Sequence, residues 1–167
     1  MAIRTSTFFS VQKVAKISFP VLALILLSVS CSRESAFPVN PARGSGGKVI
    51  IKNTIVPVEL AQTPEERRLG LSRRKELLSG EGMLFIFPEK GYHSFWMKDM
   101  KFPLDLVWID DGRIVGIDQQ IYPEESRVFK IYTPQEPVFY VLEINAGEAK
   151  RNGWEVGDEV EIVLSRY

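Results

Sequence analysis

The sequence predicts an α+β domain made mainly of strands: a single compact antiparallel barrel-like or sandwich unit with one or two short helices. Three observations carry this expectation. Short runs rich in Val, Ile, Phe and Leu recur from residue 48 to residue 164, bounded by Gly, Pro, Asn or Asp. A full helix-start signature occurs once, at Thr63-Pro64-Glu65-Glu66. No strands alternate with long helical stretches, which removes a doubly wound architecture.

The elements follow in order. Lys48–Leu60 is dominated by Val, Ile and Thr and suits one or two strands broken near Pro57. Thr63 can cap a helix, Pro64 fits its first position and Glu66 closes a capping box; this helix should end around Gly70–Ser72. Gly82–Phe87 is a continuous apolar run, as in a strand buried on both faces. Ser94–Lys98 and Leu104–Ile109 read as further strands. Asp111-Gly112 joins the latter to Arg113–Ile121 as a tight hairpin. Residues 122–137 read as a long surface excursion, and Phe139–Ile144 as a strand. A helical turn over Ala146–Asn152 should be stopped by Gly153, before a last strand at Glu159–Leu164.

Ahead of this unit (residues 48–167) lie two segments of different composition. Residues 1–30 have the order of a secretory signal: all charges, Arg4, Lys13 and Lys16, are positive, and an apolar run follows over residues 17–29. That run is shorter than the roughly 20 residues of a spanning helix. The single cysteine, Cys31, follows Ser28-Val29-Ser30, which suits two outcomes. One is a lipoprotein-type cut with Cys31 lipidated as the new N-terminus; the other is ordinary cleavage leaving a free thiol. An uncleaved membrane anchor is the third alternative. Ser32 after the cysteine resembles lipoproteins sorted to an outer membrane. Residues 31–47, rich in Pro, Gly and Ser, read as a flexible tether. The expectation is therefore an exported protein, periplasmic or at the outer membrane, or at the cell surface where no outer membrane exists. Its contact with a membrane would run through the N-terminal lipid or signal.

Composition narrows the chemistry. From Cys31 onward 18 basic residues face 21 acidic ones, so no electrostatic footprint for nucleic acid is expected. With one cysteine there is no internal disulfide and no multi-thiolate metal site. His93 is the only histidine, so any Ser-His-Asp arrangement would have to pass through it. Gly-x-Ser-x-Gly, His-Glu-x-x-His and phosphate-loop motifs are absent, and no cofactor is expected.

Trp96, Lys98, Asp99 and Asp105 gather an indole, an ammonium and two carboxylates within ten residues. Strand alternation would put Trp96 and Lys98 on one face and Met97 on the other. One reading is a concave site for a small polar ligand, a sugar or a peptide, or for an envelope partner, with Trp96 as stacking surface and Lys98 and Asp99 as polar contacts. The other is structural: a snorkelling lysine and turn-capping aspartates around a buried tryptophan. Asp105 and Glu143 each sit in an apolar strand, so each must be paired or protonated. Arg67, Arg73 and Arg74 are the available partners, and Arg73 joins Asp105 and Glu143 as the charged surround of the ligand site. Asp99 with Asp105 could also serve acid–base chemistry. His93 with Met97 and Met100, and Met83 beside them, suits Cu(I) in an exported carrier, although Met97 and Met100 would face apart in a strand.

Several short patterns occur in one order: Thr-Pro-Glu-Glu-Arg at 63–67, Gly70-Leu71-x-x-Arg74, Gly82-Met83-Leu84-Phe85, Phe95-Trp96-Met97-Lys98, Pro103-Leu104-Asp105, Ile109-Asp110, Gly112, Val141-Leu142-Glu143, Ala146-Gly147 and Val156-Gly157-Asp158. This ordered series resembles the DUF192 family, also called UPF0127, over roughly residues 49–163. The resemblance implies a domain whose biochemical role is not established, often preceded by an export or membrane segment. Members usually carry Asn-Thr after Trp-Met-Lys, where this chain has Asp99-Met100.

Overall fold

The computed structural model describes residues 46–123 and 130–165. The segment read as a signal, Cys31 and all but the last two residues of the segment read as a tether lie outside the described residues, as do residues 124–129 of the stretch read as a surface excursion.

Seven strands form one curled sheet with two short helices: β1 Gly46–Ile51, β2 Thr54–Ala61, α1 Pro64–Leu69, β3 Gly82–Gly91, β4 Leu104–Asp110, β5 Arg113–Ile121, β6 Val138–Asn145, α2 Glu148–Arg151 and β7 Val160–Leu164. The order across the sheet is β5-β4-β6-β3-β2-β1-β7. The expected mainly β, α+β class is the one observed. Every neighbouring pair is antiparallel except β2 and β3, which run parallel from Val58↔Gly82 to Ala61↔Phe85. A parallel pair needs a crossover, and residues 62–81, with α1, supply it.

The two edges of the sheet meet at one end. Ile114 N–H donates to the Asp158 carbonyl at 3.0 Å, and Gly157 N–H donates back to Ile114 at 2.8 Å. Arg113 and Glu159 form the bridge between them. The curl gives the sheet two different faces. Val49 and Ile51 of β1, Val107 and Ile109 of β4, and Ile114 of β5 share one buried cluster although their strands lie far apart in the sheet. That cluster fills the concave side, and Trp154, after α2, belongs to it. On the other face Phe85, Leu104, Leu106, Trp108 and Val141 pack with Leu71, Leu77 and Met97 from the connecting segments. Strand β4 is therefore buried on both faces along its whole length.

Local sequence explains most boundaries. Glu66 N–H donates to Thr63 Oγ1 at 3.2 Å and Thr63 N–H to Glu66 Oε2 at 2.9 Å, so the capping box forms as read. The β4–β5 turn places Asp111 at φ 46° and Gly112 at φ 69°, the left-handed pair that a two-residue hairpin needs. Four expectations are corrected. The break in Lys48–Leu60 falls at Lys52-Asn53, where Lys52 has φ 52°, and Pro57 sits inside β2 opposite Lys48. Pairing with β3 begins one residue later, so that flank of β2 carries no ladder at the proline. Gly46 and Gly47, read as tether, pair with Glu59 and Val58, since a ladder needs backbone and not side chains. Gly82–Phe87 continues as strand through Pro88 to Gly91, with the register to β6 shifting after Ile86. Ser94–Lys98 is not a strand: only Phe95 bridges, to Tyr132, before the chain turns at Lys98-Asp99.

Candidate functional site

The segment from Ser94 to Met100 lies over the outer face of the sheet and leaves a cleft beside it. Phe95 explains its position. Its ring meets Phe85 edge-on at 5.0 Å and Trp108 at 5.5 Å, T-shaped contacts that hold the segment down. Trp96, next in line, cannot share that surface and stands 52% exposed, while Met97 turns back into the core. The alternation expected of a strand thus survives without a strand, but the buried tryptophan of the structural reading does not.

The cleft has a volume of about 250 Å³. One wall is the end of α1 and the turn after it, from Arg67 to Ser72; the opposite wall is Ser94, Phe95, Trp96 and Met100. Phe85 and Phe87 of β3 and Glu143 of β6 complete the lining. Gly70 is required here twice over: its φ is 50°, and a Cβ would lie 3.1 Å from the Phe85 ring. Arg67 is tied into the wall, donating to the Gln62 carbonyl and to the Ile86 carbonyl at 3.0 Å, with its guanidinium over Phe87 at 5.2 Å.

Glu143 is the unusual member. Only 8% of it is exposed, and among the described residues its Oε2 has no hydrogen-bond partner. Burial pushes its carboxyl up to about 8, opposed by the charge of Arg74. Arg74 itself is committed elsewhere, with a two-pronged contact to Glu59 at 2.5 and 2.9 Å. Of the arginines read as partners for Glu143, Arg74 therefore acts at a distance and forms no ion pair with it.

A second cleft of similar volume adjoins the first and shares Arg68, Leu69, Ser72 and Trp96 with it. Its remaining lining is Arg73, Lys98 and Asp99. The turn is pinned across this gap: Ser72 Oγ donates to the Lys98 carbonyl at 3.2 Å and Arg73 N–H to the Asp99 carbonyl at 2.9 Å.

Arg73, Trp96, Lys98, Asp99 and Glu143 are thus brought to one region. Asp105 is not. In the β4–β6 register Asp105 opposes Ile144 while Leu106 opposes Glu143, so the two carboxyls lie on opposite faces of the sheet. Asp105 is fully buried and accepts from Gln120 N–H at 2.7 Å, Gly147 N–H at 3.0 Å and Ala149 N–H at 3.1 Å. Its partners are backbone amides, not the arginines expected, because the start of α2 points its free N–H groups at this strand. No Asp99–Asp105 carboxylate pair is assembled.

The Cu(I) residues are also dispersed in role. Met83 and Met97 are core side chains. Met100 packs against that same cluster, because the turn at Lys98-Asp99 removes the opposition expected of a strand. His93 stacks on Phe87 at 3.4 Å, with Nε2 3.2 Å from the Glu89 carbonyl. Burial lowers its pKa, against the pull of the Glu89 and Val138 carbonyls. Among the described residues no group of three or more His, Cys, Asp or Glu side chains could hold a metal ion.

Sequence reasoning did not assign Arg68, Leu69, Phe85, Phe87 or Phe95 to the site. Gly70, Phe85, Phe95, Trp96 and Glu143 all fall inside the ordered short patterns, so convergence of those patterns on one place was the available signal. Arg68 and Phe87 lie outside them.

The profile of the DUF192 family, described as uncharacterized ACR, matches residues 48–162. Two crystal structures are similar. One is of a candidate transcription regulator from Sinorhizobium meliloti, with 36% identity and a TM-score of 0.64, covering 72% of this chain and 95% of that one. The other is of a protein of unknown function from Novosphingobium aromaticivorans, with 33% identity and a TM-score of 0.66, covering 77% and 94%. A comparison with curated proteins finds no match.

Proposed function

The chain belongs to the DUF192 family, and from that premise we propose that it is an exported, lipid-anchored binding protein whose aromatic cleft takes a small polar ligand. One observation carries the ligand reading: a carboxyl at the lining of the cleft, buried, with Oε2 of Glu143 unpartnered. An unmet buried polar atom costs about 1–3 kcal/mol, and a ligand hydrogen bond gained by a small rotation of the carboxyl toward the cleft would recover it. With its pKa raised to about 8, Glu143 is mostly protonated at neutral pH and can donate as well as accept. It therefore suits an uncharged polar group, such as a hydroxyl or an amide. Trp96, exposed beside it, offers a flat apolar surface, and about 250 Å³ is room for one ring.

The export reading rests on the basic flank, the apolar run and the position of Cys31. A nucleic-acid partner is not favoured, because the charge from Cys31 onward is net acidic. The ligand reading is tested by thermal unfolding of the full chain against a panel of single-ring sugars and N-acetyl amino acids. A binder at 100 times its Kd raises stability by about 2.7 kcal/mol. Trp96→Ala and Glu143→Leu, which removes both donor and acceptor, should each abolish the shift; a compound that stabilises both variants as well as wild type would sink the reading. Export is checked separately by fractionation and by the mass of the mature N-terminus.

A further inference from the structure

Resting on the reading of the aromatic cleft as a ligand site, we propose that the ligand is a small organic anion. Its ring lies against Trp96 and its charged group reaches the adjoining cleft among Arg68, Arg73 and Lys98. The two clefts share Arg68, Leu69, Ser72 and Trp96 in their walls, so one molecule can reach from one into the other. Three cations and one carboxylate, Asp99, line the second cleft. These cations differ from those that the fold holds in close ion pairs. Arg74, Arg113 and Lys52 sit 2.5 to 2.9 Å from their carboxylates. Among the described residues the side chains of Arg68 and Lys98 make no hydrogen bond or ion pair. Arg73 meets Asp99 only at 3.7 Å, with 78% of its side chain exposed.

An exposed pair of that kind is weak, so an incoming anion can exchange with Asp99 at little cost. A guanidinium offers a planar fork that matches a carboxylate or a phosphate. Asp99 meanwhile holds the Arg73 backbone through its carbonyl, which fixes where the side chain starts. The division of labour is then clear. The floor carboxyl of Glu143 reads an uncharged polar group, Trp96 reads the ring, and the second cleft reads the negative charge.

The experiment titrates the full chain with N-acetyl-phenylalanine, its neutral amide, phenyl phosphate and inorganic phosphate, following the fluorescence of Trp96. Trp108 and Trp154 are buried, and Trp96→Phe identifies the responding residue. The expected result is that at least one ringed anion, carboxylate or phosphate, binds at least tenfold more tightly than the neutral amide. Which of the two binds better identifies the charged group. The preference should shrink toward unity in an Arg73→Ala, Lys98→Ala double variant and with added salt. Inorganic phosphate alone should bind at least tenfold more weakly than phenyl phosphate. If the acid, the phosphate and the amide bind alike and Glu143→Leu weakens all three, the anion proposal is overturned while the cleft reading stands. A preference that survives the double variant, or inorganic phosphate binding as well as phenyl phosphate, also overturns it. If no probe reaches Trp96, both readings fall together.

Discussion

Arg73 and Asp99 hold each other in left-handed backbone conformations, at φ 66° and 59°, with Arg73 N–H on the Asp99 carbonyl and the guanidinium facing the Asp99 carboxylate. For residues other than glycine such conformations cost on the order of 1 kcal/mol each, and they persist where the surroundings dictate them. Here the surroundings are the two sides of one cleft. The pairing also bears on the asparagine that the family resemblance leads one to expect at the Asp99 position. Asparagine and aspartate are the side chains that tolerate this region best, so the exchange preserves the turn and alters only its charge.

Asp99→Asn should therefore leave the urea midpoint within about 0.5 kcal/mol of wild type, since it removes only an exposed ion pair. Asp99→Val should cost roughly 2 kcal/mol, because a branched Cβ is strained at positive φ. A midpoint that moved equally for both variants would show that the backbone conformation is not what the position selects.

Asp105→Asn tests the opposite face of the sheet. The carboxylate accepts three backbone N–H groups, from Gln120, Gly147 and Ala149. An amide of the same shape has one oxygen, so at least one of these donors would face an NH2 group. Hydrogen bonds to a charged acceptor are worth about 1.5–3 kcal/mol each, and the expected loss is roughly 2–4 kcal/mol. Hydrogen exchange should localise it, with Gly147 and Ala149 amides losing protection before those of β3.

Much of this was legible in the residues, and the misses have physical causes. The Thr63 capping box and the Asp111-Gly112 hairpin are local, set by groups within a few residues of one another, and both form as read. Trp96, Lys98, Asp99 and Arg73 could be grouped by type and proximity. Asp105 could not be separated from them, because only the register with β6 shows that it faces away from Glu143. The parallel β2–β3 pair was hidden for a similar reason: direction of pairing is a property of the crossover, and α1 is too short to announce one. Ser94–Lys98 has strand chemistry but finds no strand beside it, only Tyr132.

Glu143 makes stability depend on pH in a direction opposite to most carboxylates. Its folded pKa, about 8, lies above its ordinary 4.5. Between these values the folded state holds a proton that the unfolded chain has released, so stability is greatest below 4.5 and falls as pH rises toward 8. The slope should approach about 1 kcal/mol per pH unit in that window and flatten above it. Glu143→Gln, neutral throughout, should lack this fall. A wild-type profile that rose from pH 5 to 8 in parallel with the variant would mean that the carboxyl is ionised in the fold.

Arg74→Met ties the ion pair behind the cleft to the carboxyl within it. Arg74 is the charge that holds Glu143 down, so its removal should raise the Glu143 pKa further and extend the pH window of falling stability upward. The same substitution strips Glu59 of its two-pronged partner, and the partly buried pair should cost roughly 1–3 kcal/mol at neutral pH. The two effects separate by measurement, because carboxyl carbon shifts report Glu143 alone while unfolding reports both. If the Glu143 titration stayed where it is in wild type, Arg74 would act only as a strut between β2 and the turn after α1, and the field across the cleft would have to come from Arg67 and Arg68.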